Sequence, residues 1–439
     1  MIPLIMLIMP IRTASAGALP TAVASVVLDN GLTIYLAPMD TPGVVSYQSW
    51  VEVGSKDEVA PGTTGFAHFF EHLMFYGSEA LPREEREERM LLTGADENAW
   101  TWVDDTCYHQ VVASDALLEV IAIEADRFQN LHVTPEQVAK ESGAVHGEYR
   151  KGLTNPWDRI YDALYETAFT THTYHHSTIG YEADILEMPN QVELVKDFFS
   201  IHYRPENTRI VVAGDFEKGE VLGAIERHYG GWQPATQAPP EIPEEPPQEA
   251  ARRVEVAWDQ GPVNAHLMMG WKVPGWSPTS PDAAALDLVG ELLFSDVAPL
   301  HRKLVVDEAR VYTVSGGDWG MEDEHLFVTV AVVKDPEDLA AVEADIEAAL
   351  AALLVLDDAT VAAARNNALR RTTIELDDPK AVANRIGDFT RGGADPADIE
   401  AWYQGYAALG PEDVKRVVET YFVPEGRTVA VLVPPEEGS

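Results

Sequence analysis

The sequence predicts an α+β fold built twice, as two homologous halves, and three observations point there. Strand-like and helix-like segments are mixed inside each half, which favours helices covering one face of a mainly antiparallel sheet. Residues Val195 to Glu206 (VKDFFSIHYRPE) recur in the second half as Val414 to Glu425 (VKRVVETYFVPE). In both copies a helical pattern stops before proline and a β-rich run follows, at 209–212 and 428–431. Between the halves, Pro234 to Ala251 (PATQAPPEIPEEPPQEAA) is too poor in large apolar residues to build a core and reads as an extended linker. The expected organisation is a leader at 1–16, a first domain at 17–233, the linker at 234–251 and a second domain at 252–439.

Taken in order, Ile2 to Ile11 is an apolar run followed by Arg12 and the small-x-small pattern Ala14-Ser15-Ala16, a secretory signal peptide pattern. It is too short to span a bilayer, and no later segment approaches that length. The expected location is the periplasm or the exterior, or the cytoplasm if this run is not a leader. Ala24 to Leu36 reads as two strands around the tight turn Asn30-Gly31. Ser46 to Val53 is a further strand, Gly65 to Tyr76 is helical by period, and Asn98 to Val112 has strand composition. Thr134-Pro135 opens a helix, with Thr134 as N-cap and Gln137 completing a capping box.

Composition narrows the function. The 439 residues carry 31 Lys+Arg against 72 Asp+Glu, a formal net charge of −41. Such a surface repels phosphate backbones and excludes nucleic acid as a natural partner, while it concentrates cationic peptides. The single cysteine, Cys107, excludes an intrachain disulfide and any multi-cysteine zinc site, and is expected to be a small buried residue.

The chemistry is concentrated in His68-Phe69-Phe70-Glu71-His72. On a helix His68 and His72 project from one face, one turn apart, so two imidazoles can reach one divalent ion. Glu71 lies beside them, near enough to hold a water. A catalytic zinc site needs a third protein ligand and an open fourth position. The helix from Pro135 offers Glu141 and Glu148, nearly two turns apart and thus on one face; one could ligate while the other holds a ligand in place. Gly143 and Gly147 in this helix suggest close packing against another element. The run Arg83 to Arg89 (REEREER) reads as a solvated helix face, and His172, His175 and His176 as loop residues rather than ligands.

Helix motif, distal glutamates and the segment between them resemble the insulinase/pitrilysin zinc metallopeptidases, in particular the branch of the mitochondrial processing peptidase and its bacterial relatives. The step from His72 to Glu148 equals the family spacing for the third ligand, and Glu141 matches the glutamate that precedes that ligand by two turns. Asn98-Ala99-Trp100-Thr101 with Thr106-Cys107-Tyr108 matches the family's N-A-x-T…T-x-Y segment. The resemblance implies two halves facing each other across a central cleft, and one Zn²⁺ per chain on His68, His72 and Glu148. It implies Glu71 as general base, Glu141 as a supporting catalytic residue, and Asn98 and Ala99 on an edge strand that receives an extended peptide. Trp100 and Trp102 are expected to pack the sheet or line the cleft.

Shifting the motif by the offset of the repeat lands on the run ALDLVGELLF and on Asn367, so the second half is expected to lack a metal. The family's substrate-binding Arg/Tyr pair is half present: Tyr312 matches, but the arginine position is Val305, with Arg302 and Arg310 out of register. Three functional readings follow from the resemblance. The chain is a self-sufficient zinc endopeptidase, a metal-bearing subunit of a heterodimer whose homologous metal-less partner supplies the arginine, or a non-catalytic scaffold.

Overall fold

The computed structural model describes residues 12–13 and 19–434, so most of the expected leader at 1–16 lies outside the described residues. The first sheet contains β1 (Arg12–Thr13), β2 (Ala24–Val27), β3 (Thr33–Pro38), β4 (Val44–Val51), β5 (Asp96–Thr101), β6 (Thr106–Ala113) and β7 (Thr208–Gly214). Its order is β1-β2-β3-β7-β4-β6-β5. The second contains β8 (Arg252–Ala257), β9 (Ala265–Val273), β10 (Val311–Asp318), β11 (His325–Val333) and β12 (Arg427–Val433), in the order β10-β11-β9-β12-β8. Every pair is antiparallel except β3 with β7 and β8 with β12. The blocks β3-β7-β4-β6-β5 and β8-β12-β9-β11-β10 therefore share one topology and one pattern of pairing. The expected α+β architecture with helix-covered, mainly antiparallel sheets is the one observed.

The local readings translate directly into elements. Gly31 takes the φ of +95° that the β2–β3 turn requires. The helices of the first half that bear on the site are α1 (Phe66–Leu73), α2 (Arg83–Thr93), α3 (Leu117–Asn130), α4 (Pro135–Gly152) and α5 (Pro156–Ala168). Alpha4 starts with the expected capping box: the Gln137 backbone N–H donates to the Thr134 hydroxyl at 3.3 Å and the Thr134 N–H to the Gln137 side chain at 2.7 Å.

The halves interlock by exchanging helices. Alpha5 leaves the first half and lies on the second sheet, where Ile160, Leu164 and Tyr165 are buried with Met268, Leu326, Val328 and Leu432. Reciprocally, the helix Pro379–Phe389 lies on the first sheet, with Val382 and Ile386 in one apolar cluster with Tyr35, Trp50 and Val211. This approach is close enough to require glycine at 387, since a Cβ there would stand 2.2 Å from the Trp50 ring. Each sheet is thus covered by helices of its own half and by one from the other.

Three expectations need correction. Gly143 and Gly147 pack against nothing: a Cβ at either would meet open space, so they mark no close approach on α4. The run 83–89 is not wholly solvated, because Arg86 is fully buried, with its guanidinium between Glu97 (2.6 Å) and Glu124 (3.3 Å). Pro234 to Ala251 is extended, as its composition demands, but it is also docked. The Glu245 carboxylate accepts backbone N–H groups of Thr170, Thr171 and His172 at 2.8–3.0 Å.

Candidate metal centre

Alpha1 buries Phe66, Phe69, Phe70 and Leu73 on its sheet-facing side, which turns His68 and His72 to the opposite side. Its N-cap is Gly65, which has no side chain to cap with. Glu58 does this instead: its buried carboxyl accepts the N–H of Gly65 and of Ala67, both at 2.7 Å, and these two bonds oppose the burial that pushes the group up. Alpha4 crosses beside α1, buries Val138 and Val145, and carries Glu141 and Glu148 two turns apart toward the histidines. The ligating atoms of His68, His72 and Glu148 all lie within 4.8 Å of one another. Glu148 Oε2 is 3.4 Å from His68 Nε2 and 3.7 Å from His72 Nε2.

The two imidazoles differ: burial would lower His72, but the Glu141 hydrogen bond and the charges of Glu148 and Glu71 outweigh it and hold that ring above its usual range. Burial, and then the neighbouring His72, hold His68 down at about 4, so its ring is neutral with a lone pair free. Glu141 Oε2 lies 3.3 Å from His72 Nδ1, which makes Nδ1 the protonated nitrogen and turns Nε2 toward Glu148. Tyr76, four residues after His72, donates to the other Glu141 oxygen at 2.7 Å. The His72 hydrogen bond, aided by Tyr76, outweighs burial and keeps the Glu141 carboxyl below its usual range. Two imidazoles and one carboxylate on one side, with the other side open, form a donor set that fits Zn²⁺ in a hydrolytic site.

Glu71 occupies the next position round α1. Burial pushes its carboxyl up, against the opposing hydrogen bond from Thr101 and the charge of His72. The Thr101 hydroxyl donates to Glu71 Oε2 at 2.7 Å, so the last residue of β5 holds this carboxylate in place. Asn98 and Ala99 lie on the same strand, the edge of its sheet, paired on one side only with β6. Trp100 packs edge-on against Trp50 at 5.1 Å, and Trp102 turns into the cleft between the halves.

That cleft, about 660 Å³, runs from His68 and Glu148 across to the second half. Trp102, Trp157, Tyr161 and Trp319 form aromatic walls, and Asp158 and Asp162 bring carboxylates. Thr313, Ser315 and Met268 complete it from the second half. Tyr312 is not among the lining residues; it is 58% exposed, with the Lys334 ammonium over its ring. Arg310 is bound by Asp345 and Glu308, and Arg302 by Asp307, so neither reaches the cleft. His172 and His176 are buried in loop packing.

The sequence reading missed Glu58, Tyr76, Thr101 and Trp319. Tyr76 carried a usable signal, the i+4 step from His72, and Thr101 stood inside a motif already singled out. Glu58 and Trp319 carried none, since their partners are set by loop paths.

Residues 39–182 match the family described as Insulinase (Peptidase family M16), and residues 191–368 match Peptidase M16 inactive domain. The chain is 28% identical over 312 residues to the zinc protease PqqE of Helicobacter pylori, covering 70% of this chain and 69% of that protein. It is 27% identical over 268 residues to the bovine mitochondrial-processing peptidase subunit beta, covering 61% of this chain and 53% of that one. Among solved structures, a protease from Helicobacter pylori superposes with a TM-score of 0.89 at 26% identity, covering 94% of this chain and 100% of the other. With both family descriptions matched in order along one chain, and the fold shared over nearly its whole length, the protein belongs to the insulinase family of peptidases, M16.

Proposed function

We propose that this chain is a zinc-dependent endopeptidase acting on extended or unfolded peptides. The observation that carries the reading is the convergence of His68, His72 and Glu148 beside a separately held carboxylate, Glu71. The three ligands would hold one Zn²⁺. When bound, zinc supplies a Lewis acid that polarises the scissile carbonyl and makes a water acidic near neutral pH. Glu71 takes the proton from the attacking water and returns it to the leaving amine, and its raised carboxyl suits a group that must do both. Glu141 keeps His72 in the tautomer that ligates. Beta5, through Asn98 and Ala99, offers main-chain groups to which an extended peptide can add as a further strand, independent of side-chain sequence.

Aromatic walls with Asp158 and Asp162 favour cationic or large apolar side chains, in keeping with the net charge of −41. The leader pattern supports a periplasmic or secreted location, with the cytoplasm the location if that run is not a leader. No helix among the described residues is long and apolar enough to cross a membrane.

A second reading has its own support. Among the described residues no arginine of the second half lines the cleft, and Tyr312 stands outside it. The chain would then be the metal-bearing subunit of a heterodimer, with a metal-less homologue completing the site. A scaffold role leaves the whole hydrogen-bonded support of the triad unexplained. Cleavage of a quenched peptide library by the purified chain, abolished by chelator and restored by zinc, is the expected result. A folded chain that binds one zinc and cleaves nothing alone would overturn self-sufficiency and favour the subunit.

A further inference from the structure

The β5–β6 turn, residues 102–105, follows directly on Thr101, the residue that holds Glu71. Two adjacent carboxylates, Asp104 and Asp105, sit in it, each 1% exposed. Such a pair is stable only if cations and donors converge on it. Asp104 accepts the Tyr174 hydroxyl at 2.6 Å and the backbone N–H of Glu322 at 3.0 Å, with Lys56 at 3.2 Å. Asp105 accepts Arg209 at 3.0 Å and Arg391 at 2.6 Å. Arg391 also donates to the Gly320 carbonyl at 2.8 Å, and Gly392 N–H to Glu52, the other partner of Arg209.

Two halves therefore meet on this turn. Arg391, Gly320 and Glu322 belong to the metal-free half; Lys56, Tyr174 and Arg209 belong to the metal-bearing one. The second half has the matching arrangement: its β10–β11 turn offers Asp323, received by His172 of the first half at 3.2 Å. Trp102 and Trp319, one from each turn, stand with rings 6.3 Å apart at the cleft.

We infer that Arg391 is a positioning residue for the reaction: by clamping Asp105 it fixes the β5–β6 turn, and through that turn the Thr101 hydroxyl that orients Glu71. The inference rests on the endopeptidase reading for its kinetic part. Arg391 then acts on catalysis from the second half without itself lining the cleft. Burial alone would push the Asp105 carboxyl up; Arg391 and Arg209 outweigh it and hold it below its usual range. Loss of Arg391 leaves Asp105 with Arg209 alone and removes one of the turn's ties to the second half, with Asp104 still held by the Glu322 N–H, so the turn loosens on its Asp105 side. Misplacement of a catalytic group by a fraction of an ångström to one ångström costs about tenfold to a hundredfold in rate.

A double-mutant cycle on the zinc-loaded full chain tests this, with Arg391→Gln, Thr101→Val and both together. Arg391→Gln should lower kcat about tenfold, with KM within about twofold of wild type and one zinc retained. Arg391→Lys should recover most of that loss. The double variant should be no slower than the slower single variant, because both act on one hydrogen bond. Amide exchange of residues 102–106 should rise at least about tenfold in Arg391→Gln, while α1 stays protected. Wild-type kcat in Arg391→Gln, or a double variant slowed by the product of the single effects, would overturn the inference, and so would unchanged exchange in the turn. If Arg391→Gln does not fold, Asp105→Asn, which keeps volume and the Arg209–Glu52 pair, takes its place in the cycle. A wild-type chain without peptidase activity sinks the functional reading separately, and the exchange measurement still decides the clamp.

Discussion

The helix pair that carries His68, His72 and Glu148 in the first half and its counterpart in the second have the same architecture and different polar partners. Alpha1 and α4 correspond to the helices Pro281–Phe294 and Asp358–Glu375, which pack against each other in the same manner. At the offset of the repeat, His68, Glu71, His72 and Glu148 become Asp287, Gly290, Glu291 and Asn367. Glu291 is not left waiting for a cation. Asn367 donates to one of its oxygens and Arg371 to the other, both at 2.8 Å. In the first half two imidazoles and a carboxylate converge on a gap; in the second an amide and a guanidinium close the same gap. One scaffold can therefore hold either a cation site or its internal substitute, and the side chains at a few positions decide which.

The two helix pairs differ most in chemistry at Glu71, the position that becomes glycine in the second half. Glu71→Gln should retain one zinc by metal analysis and lose about 10²–10⁴-fold in kcat. Retained turnover would remove Glu71 from the mechanism.

Acid sensitivity sharpens the contrast at the repeated segment, where His202 stands in the first copy and Tyr421 in the second. His202 is 3% exposed and packs tilted against Phe198 at 4.5 Å; burial, then the charge of Arg204, holds its pKa down at about 3. Above about pH 6.5 the group does not affect stability. Below that the unfolded chain takes up a proton that the native state refuses, so stability falls by about 1.4 kcal/mol per pH unit until the native pKa is reached. Urea midpoints measured from pH 7 down to pH 4 should fall less steeply in His202→Gln than in wild type. Parallel profiles would mean that other groups govern the acid limb.

Arg371→Met should leave Glu291 with Asn367 alone and cost about 1 kcal/mol, a modest figure because the guanidinium is half-exposed. Peptide turnover should not change; a loss of turnover would show that the counterpart site feeds the reaction.

The smallest effect concerns two matching turns. Gly94 (φ 66°) and Ala309 (φ 51°) both precede an edge strand by two residues, in the left-handed region. Ala309→Gly should raise the thermal midpoint by about 2 °C, and Gly94→Ala should lower it by a similar amount. Equal midpoints for Ala309→Gly and wild type would mean that the turn relaxes without strain.

Much of the site was legible because it rests on short-range periodicity. The i, i+4 step of His68 and His72, the two-turn step from Glu141 to Glu148, and the Thr134–Gln137 cap are properties of a single helix. The strand composition of 98–112 marked the stretch where the β5–β6 hairpin lies, though not its turn at 102–105. Solvation of a charged run was less readable: Arg83 to Arg89 has the same charge pattern throughout, yet Arg86 alone turns inward to Glu124. Local charge cannot reveal which turn of a helix faces a buried carboxylate on the helix that follows the hairpin.

By itself the sequence determined the duplication, the mixed α+β content, the histidine pair with its two glutamates and the absence of that pair from the second half. These follow from patterns within a helical turn, a hairpin or a repeat. Only the tertiary structure decided that the halves exchange helices across each other's sheets, that Gly387 must meet Trp50, and that Thr101 holds Glu71 while Arg391 reaches Asp105. The physical reason is distance along the chain. Partners that stand on different elements, often in opposite halves, are selected by packing and by the need to satisfy buried charge, and neither constraint leaves a periodic trace in the amino-acid order.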